Sequence, residues 1–389
     1  MYKIQTLNSI SRIIFSQLKE EKYAISAEET APDAILVRSA AMHDMEFGPE
    51  LKAIGRAGAG VNNIPIDRCS KEGIVVFNTP GANANAVAEL VIAGLLMSGR
   101  NIAGGVEWAK TLKGKGAEVA KLVEKGKSQF VGPEMRGKTL GVIGLGAIGA
   151  LVANAASRGL GMKVVGYDPF ISVDSAWSLS TSIRHASSED EVISQADYVT
   201  FHIPLNDKTR GSLNAEKIGK MKDGAVVLNF SRGELADSEA VIAALESGKL
   251  SGYVTDFPSD EMLCRDKVVC IPHLGASTPE SEENCASMAA AEIRDYLENG
   301  SIHNSVNFPE LQLGRPEGVR ILVLHENVPN MISPISAVVS KEGINIENLV
   351  NRSRKEMAAT VMDMEKLPSP EAIDAIAKIP GVIRVRTFG

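Results

Sequence analysis

Residues 139–168 read TLGVIGLGAIGALVANAASRGLGMKVVGYD. An apolar run at 140–143 predicts a strand, glycines follow at Gly144, Gly146 and Gly149, and the small and apolar residues after them suit a helix. A second β-branched run at 164–165 ends at Asp168, 19 residues beyond the last glycine. GxGxxG alone says little; strand, glycine turn, helix and distant acid together make the pattern that binds a dinucleotide. Gly144 permits the tight turn, Gly146 lets backbone approach a pyrophosphate, and Gly149 lets helix and strand pack closely. The helix N-terminus offers free N–H groups and partial positive charge to the phosphates. Asp168 stands where an acid accepts hydrogen bonds from the adenosine ribose hydroxyls.

Upstream, strands expected at 3–6, 34–37, 53–56 and 75–78 alternate with helical stretches around 12–20 and 65–71, which predicts a parallel sheet covered on both faces. Two loops at strand ends carry arginine: VRSA, with Arg38 and Ser39, and GRAGAGVNNI, with Arg56 and Gly58. Ligands of open α/β sheets sit at the carboxyl ends of strands, and a guanidinium meets a carboxylate or phosphate with two parallel hydrogen bonds. This edge is therefore expected to form an anion pocket. From Asn85 the Ala-rich sequence predicts a long buried helix, and the many lysines and glycines of 105–136 predict a solvated helical excursion.

Downstream, strands are expected at 198–202, 225–229, 252–255 and 268–271. They end at His202-Ile203-Pro204, Ser231-Arg232-Gly233, Asp256 and His273, and parallel strands share a carboxyl edge, so these ends should line one crevice. Residues 277–300 form a helix with Ser277 or Thr278 as N-cap, Pro279 in the first turn and Gly300 as terminator. The remainder, 319–389, reads strand–helix–strand–strand–helix–strand, a ferredoxin-like order. A unit of about 70 residues is near the lower limit for a secure core, so self-association is expected of it.

A chain of 389 residues with 44% hydrophobic and 23% charged residues suits two or three soluble domains. A net charge of −7 argues against non-specific nucleic-acid binding. No run of 18 apolar residues predicts a membrane span, and MYKIQTLNSISRIIF lacks the apolar core of a signal peptide. The four cysteines form no CxxC pair, so neither a metal site nor a disulfide framework is expected, and a reducing cytoplasm is the simplest location.

Oxidising a 2-hydroxy acid beside a nicotinamide needs a cation for the carboxylate, a base for the hydroxyl proton and a group that tunes the base. Arg232 can supply the first through its forked guanidinium, and His273 the second because imidazole titrates near working pH. Glu261 can supply the third, since a carboxylate beside His273 favours imidazolium and orients the ring.

The series GLGAIG, FHIPL, NFSRGE, Asp256 to Glu261 and IPHLGAST resembles the D-isomer-specific 2-hydroxyacid dehydrogenase family over residues 1 to about 305. The tail, with LHENVPN, GINIENL and IPGVIRVR, resembles the ACT domain. The resemblance implies an α/β fold: a split flavodoxin-like substrate lobe (1–93 and 277–310), a Rossmann NAD-binding lobe (94–276) and a C-terminal ferredoxin-like ACT domain (319–389). It implies Arg232, Glu261 and His273 as catalytic residues, and Arg38, Ser39, Arg56 and Gly58 as substrate contacts. NAD would lie against Gly144, Gly146, Ala147, Ile148, Gly149, Asp168, His202, Pro204, Thr209, Asp256 and Gly275, with Asp168 favouring NAD over NADP.

Members with such a tail oxidise 3-phospho-D-glycerate to 3-phosphohydroxypyruvate, the first step of L-serine synthesis, and that reaction is the expectation. The alternatives are a general glyoxylate or hydroxypyruvate reductase and an NAD-sensing binding protein. A homodimer or homotetramer is implied, with L-serine as effector on His325, Asn327 and Asn345. Three features depart from the family. Ala147 stands where many relatives carry Arg against the pyrophosphate. Asn330 replaces a usual Gly, although Asn tolerates the left-handed conformation. The lysine-rich insertion at 110–128 has no functional explanation.

Overall fold

Five short apolar runs pair into one parallel sheet: β1 (Tyr2–Leu7), β2 (Tyr23–Ser26), β3 (Ala34–Val37), β4 (Ala53–Arg56) and β5 (Val75–Asn78), in the order β2-β1-β3-β4-β5. The computed structural model describes residues 1–316 and 318–389. It divides into two units, 1–82 with 282–389, and 83–281.

The sheet differs from expectation at one edge. The helix expected at 12–20 is a 3-10 turn at Arg12–Ser16, and the next residues form β2. Four residues among charged neighbours are too few for periodicity to show. Tertiary packing decides the strand instead: Tyr23 stacks on Tyr2 with ring centroids 5.7 Å apart, and its hydroxyl donates to Glu298 at 2.6 Å.

The second unit opens on the helix Ala84–Gly99, which buries Val87, Ala88, Val91 and Leu95 as its apolar spacing predicts. Extended backbone at Arg100 ends it, and Asn101 caps the next helix, Ile102–Lys110. This helix and Val119–Gly126 bury no residue, in keeping with a solvated excursion. No single helix among the described residues is long and apolar enough to cross a membrane; the pair Ala84–Gly99 and Ile102–Lys110 passes by length and composition only together, across a 72° bend.

A seven-stranded sheet follows: β6 (Thr139–Ile143), β7 (Lys163–Tyr167), β8 (Arg184–His185), β9 (Tyr198–Phe201), β10 (Ala225–Asn229), β11 (Leu250–Thr255) and β12 (Val268–Cys270). The order is β12-β11-β10-β9-β6-β7-β8, and every pairing is parallel. Strand order reverses between β6 and β9, which makes their carboxyl ends the switch point where such sheets take ligands. Apolar clusters cover both faces, one around Ile143, Val199 and Val227, the other around Val142, Leu228 and Val254. These fully buried strands read as continuous apolar runs, which is why the sequence located them closely.

The helix Pro279–Asn299 follows, and the first unit resumes within it at Glu282. Thr278 Oγ1 accepts from Ser281 N–H at 3.0 Å, and Gly300, at φ +71, ends the helix. An antiparallel sheet then forms from β13 (Val319–Glu326), β14 (Ile346–Arg354), β15 (Met357–Met364) and β16 (Val382–Phe388), ordered β14-β15-β13-β16. With helices Ile332–Lys341 and Pro370–Ala377 this is the expected ferredoxin-like, ACT-like unit.

One face of this sheet, through Ile321, Val323, Met362 and Met364, packs with Ile335, Val339 and Ile376. The opposite face, Leu322, Leu324, Ala359 and Val361, joins the cluster of Phe77, Tyr296 and Phe308. Arg386 crosses this boundary, donating to Tyr296 O and Leu297 O at 3.1 Å each with its guanidinium 4.6 Å from the Tyr296 ring centre. The strand β14 at the edge of this sheet stays largely exposed.

Candidate active site

The glycine turn has the geometry its residue types demand. Gly144 lies at φ +89, and a Cβ there would collide with His202 O. A Cβ on Gly149 would collide with Gly144 O, so only glycine lets the helix close on the strand end. Around Gly146 a Cβ would meet nothing within 4 Å: the space beside this residue is open. Gly146 is also the N-cap of the helix Ala147–Asn154, so the free N–H groups of the first turn, with Ala147 and Ile148, face that space. Asp168 is fixed at both oxygens, Oδ2 accepting from Leu145 N–H at 2.9 Å and Oδ1 from Phe170 N–H at 2.8 Å. Open backbone at the helix end and an oriented acid beyond β7 fit a dinucleotide. Ala147 is exposed and adds no charge, so backbone dipoles carry the phosphate end.

On the other side of the switch point, His202 Nε2 meets Thr200 Oγ1 at 3.0 Å and its Nδ1 is buried without a partner. Desolvation pushes its pKa down to about 4, so His202 is neutral at working pH. Thr209 donates to Pro204 O at 2.7 Å, closing the loop after β9.

The carboxyl ends of β10, β11 and β12 bring Arg232, Asp256 and His273 together. Asp256 is 1% exposed, and its Oδ1 has no partner. Burial raises its pKa, against the opposing pull of His273 and Arg232. Arg232 is exposed and donates to Ser231 O at 2.6 Å; His273 is exposed and set edge-on to Phe257, ring centroids 4.7 Å apart. A buried carboxylate with an unfilled acceptor between an exposed guanidinium and an exposed imidazole is a polar arrangement that lacks a ligand group. Gly275 lies beside Asp256, where a Cβ would sit 3.7 Å from Oδ2. Glu261 is exposed, and no ion pair or hydrogen bond joins it to His273 among the described residues.

In the first unit, Arg38 and Ser39 follow β3, and Arg56 and Gly58 follow β4. Asn8, itself at φ +69, accepts from Ser39 N–H and Ala40 N–H at 3.0 and 2.7 Å and fixes the first loop. Gly58 lies at φ +140, and the Arg56 guanidinium lies where a Cβ of Gly58 would be. Arg38 is ion-paired with Glu282, Nη2 to Oε1 2.7 Å.

The three residues expected to hold serine do not meet within one chain. His325 is 2% exposed, with Nδ1 2.7 Å from Glu326 O and Nε2 2.9 Å from Thr360 Oγ1. Asn327 donates to Lys355 O at 2.9 Å. Asn345 precedes Ile346, which pairs with Met364 at the Val319 end of β13, whereas His325 pairs with Ala358 at the other end. Asn330 does adopt the left-handed conformation, at φ +65.

Several supporting residues escaped sequence reasoning. Asn229 donates to Arg232 O at 2.9 Å, and Ser231 donates to Phe201 O at 2.6 Å, which together pin the turn that presents Arg232. The signal for them was their place inside NFSRGE, three residues and one residue before the arginine. Asn8 and Glu282 gave no such signal, because their partners are distant in sequence.

Residues 93–275 match the family described as "D-isomer specific 2-hydroxyacid dehydrogenase, NAD binding domain". The chain is 36% identical over 314 residues to the D-3-phosphoglycerate dehydrogenase of Synechocystis, covering 78% of this chain and 54% of that one. It is 34% identical over 352 residues to the D-3-phosphoglycerate dehydrogenase of Escherichia coli, covering 87% and 81%. The chain thus spans about half the length of the first relative and four-fifths of the second. Among solved structures it resembles the NAD+-bound 3-phosphoglycerate dehydrogenase of Entamoeba histolytica, at 28% identity and a TM-score of 0.60 over 79% of this chain and 98% of that one. With its Rossmann sheet, glycine turn and oriented Asp168, the chain belongs to the D-isomer-specific 2-hydroxyacid dehydrogenase family, as an NAD-dependent oxidoreductase.

Proposed function

We propose that the chain oxidises 3-phospho-D-glycerate to 3-phosphohydroxypyruvate with NAD, the reaction that opens L-serine synthesis. The observation that carries this reading is the cluster of Arg232, buried Asp256 and His273 on the carboxyl edge of the NAD-binding sheet. NAD supplies the hydride acceptor. Arg232 holds the substrate carboxylate, and neutral His273 takes the hydroxyl proton as the hydride leaves. Glu261 is the carboxylate assigned to favour the resulting imidazolium. Asp256, with its unfilled Oδ1, would help hold the nicotinamide end of NAD. In the first unit, Arg38 and Arg56 at strand ends supply guanidinium groups suited to a phosphoryl group. The substrate itself is suggested by relatives named as D-3-phosphoglycerate dehydrogenases.

Assembly as a homodimer or homotetramer belongs to the same reading. The exposed Ile102, Val106, Val119 and Val131 of the excursion supply apolar surface for it. L-serine control through His325, Asn327 and Asn345 requires residues from two copies, since one chain does not bring them together.

Initial rates with 3-phosphoglycerate, D-glycerate and glyoxylate, each with and without L-serine, test the proposal. It expects kcat/KM for NADH formation from 3-phosphoglycerate to exceed that for NADH formation from D-glycerate and for NADH consumption with glyoxylate. Equal or better turnover of unphosphorylated substrates would replace it with a general 2-hydroxyacid dehydrogenase.

A further inference from the structure

The ion pair between Arg38 and Glu282 joins a strand-end arginine to the first helical turn of Pro279–Asn299. Neither partner is free to drift. Asn8 holds the backbone just after Arg38 through Ser39 and Ala40. Thr278 caps the helix that carries Glu282. Further along, that helix buries Ala286, Ala289, Ala290 and Ile293. Its far end is gripped: Arg386 takes Tyr296 O and Leu297 O, and Arg320 takes Asn299 O at 2.9 Å. The backbones that carry both partners are held by these contacts, so the pair opens by rotation of the side chains.

A carboxylate presented this way is an internal competitor. Both side chains are partly exposed, at 37% and 43%, so the pair is weak and an incoming anion can open it. A phosphoryl group carries about −1.5 to −2 charges and three acceptor oxygens, and it can meet a guanidinium with two parallel bonds. A hydroxyl terminus has neither property.

We propose that Glu282 moderates the affinity of Arg38 for a phosphorylated substrate, as a tethered carboxylate that occupies the guanidinium until a phosphoryl dianion displaces it. This rests on the reading of Arg38 as a substrate arginine. Glu282 is a positioning residue here, since it acts only through Arg38.

The test uses the full chain and Glu282→Gln, which keeps shape and removes charge. The KM for 3-phosphoglycerate should fall about two- to fivefold, the scale of an exposed ion pair, with kcat unchanged. The KM for D-glycerate should stay the same. The dissociation constant of inorganic phosphate, read by calorimetry, should fall by the same factor. Glu282→Asp, charged but one methylene shorter, should fall between the two, and a thermal melt on each variant checks folding.

An equal fall in KM for both substrates would overturn the proposal, because Arg38 would then read a group common to both. Unchanged phosphate binding would also overturn it, whatever the reaction. Tighter phosphate binding by Glu282→Gln, without turnover of 3-phosphoglycerate by either form, would support the competitor and remove the proposed reaction instead.

Discussion

The seven-stranded sheet and the ACT-like sheet treat their polar side chains in opposite ways. At the carboxyl edge of β9–β12, polar groups are left wanting: Asp256 Oδ1 and His202 Nδ1 are buried without partners. Arg232 and His273 project beside them, exposed. In the ACT-like sheet the corresponding candidates are spent inside the fold. Both ring nitrogens of His325 have partners, Asn327 donates to backbone, and Arg320 makes a two-point bridge to Asp363 at 2.6 and 3.0 Å. Burying a polar group without a partner costs about 1–3 kcal/mol, so a fold tolerates one mainly where a ligand completes it. A satisfied buried histidine holds the fold together; an exposed one beside an orphaned carboxylate is available for chemistry.

The sharpest way to break that contrast is His273→Ala. Loss of the proton acceptor should lower kcat by about 100- to 10,000-fold, while NADH affinity by fluorescence titration stays within a few-fold. Retention of most of the turnover would mean that the exposed imidazole is not the base and that the partnerless cluster was misread. Next in size is Gly144→Ala. A methyl group at φ +89 against His202 O forces the turn open, at a strain of about 1–3 kcal/mol. NADH should bind about 10- to 100-fold more weakly. Unchanged affinity would show that the turn adapts and that its backbone amides do not set the phosphate position.

How much of this the sequence could tell depended on how local the cause was. The glycine turn was legible from the spacing of its three glycines, although the clash that Gly144 avoids, with His202 O, comes from a strand end far along the chain. The buried parallel strands were legible as apolar runs, and the helix Pro279–Asn299 through its cap and terminating glycine. Arg232 and His273 could be named from strand ends alone. The absence of contact between Glu261 and His273 could not be seen, because it depends on how the loop after β11 packs. Nor could the coverage of the ACT-like sheet be foreseen: Arg386 grips helix carbonyls some 90 residues earlier in the chain, at a distance along the sequence where no periodicity speaks. The strand β2 was lost for a third reason: four residues carry no period, and the stacking of Tyr23 on Tyr2 decides it.

A buried acid in the first unit offers a test of smaller size. Glu292 is 4% exposed, accepts from Asn304 Nδ2 at 2.7 Å through Oε1, and leaves Oε2 without a partner. Burial, helped by the negative charges of Glu310 and Asp295, pushes its pKa up to about 8 against the hydrogen bond from Asn304. A carboxyl whose folded pKa lies above its unfolded value binds more protons in the native state. Its contribution to stability is therefore present below the unfolded pKa and lost as pH rises from about 4.5 to about 8. Glu292→Gln removes this titration. The variant should gain on the parent as pH rises from 5 to 8, by on the order of 2 kcal/mol at the upper end, measured by urea unfolding. A gain of equal size at both pH values would show that the orphaned oxygen, rather than ionisation, is at fault. A loss at pH 8 would mean that Glu292 is needed charged.

The smallest expected effect sharpens the contrast from its other side. His325→Gln leaves one of two hydrogen bonds in a site whose other members, Glu326 O and Thr360 Oγ1, stay buried or half-buried. Thr360 also donates to Asn351 Oδ1 at 2.8 Å, so the hydroxyl keeps a partner and the loss is limited to about 1 kcal/mol of stability. If His325 serves only the fold, kcat, KM and NADH affinity should all match the parent once the melting temperature is taken into account. A serine response that vanishes while stability holds would reverse the assignment. It would show that a histidine satisfied within one chain can still be lent to an effector, so that internal hydrogen bonds mark a site at rest rather than the lack of one.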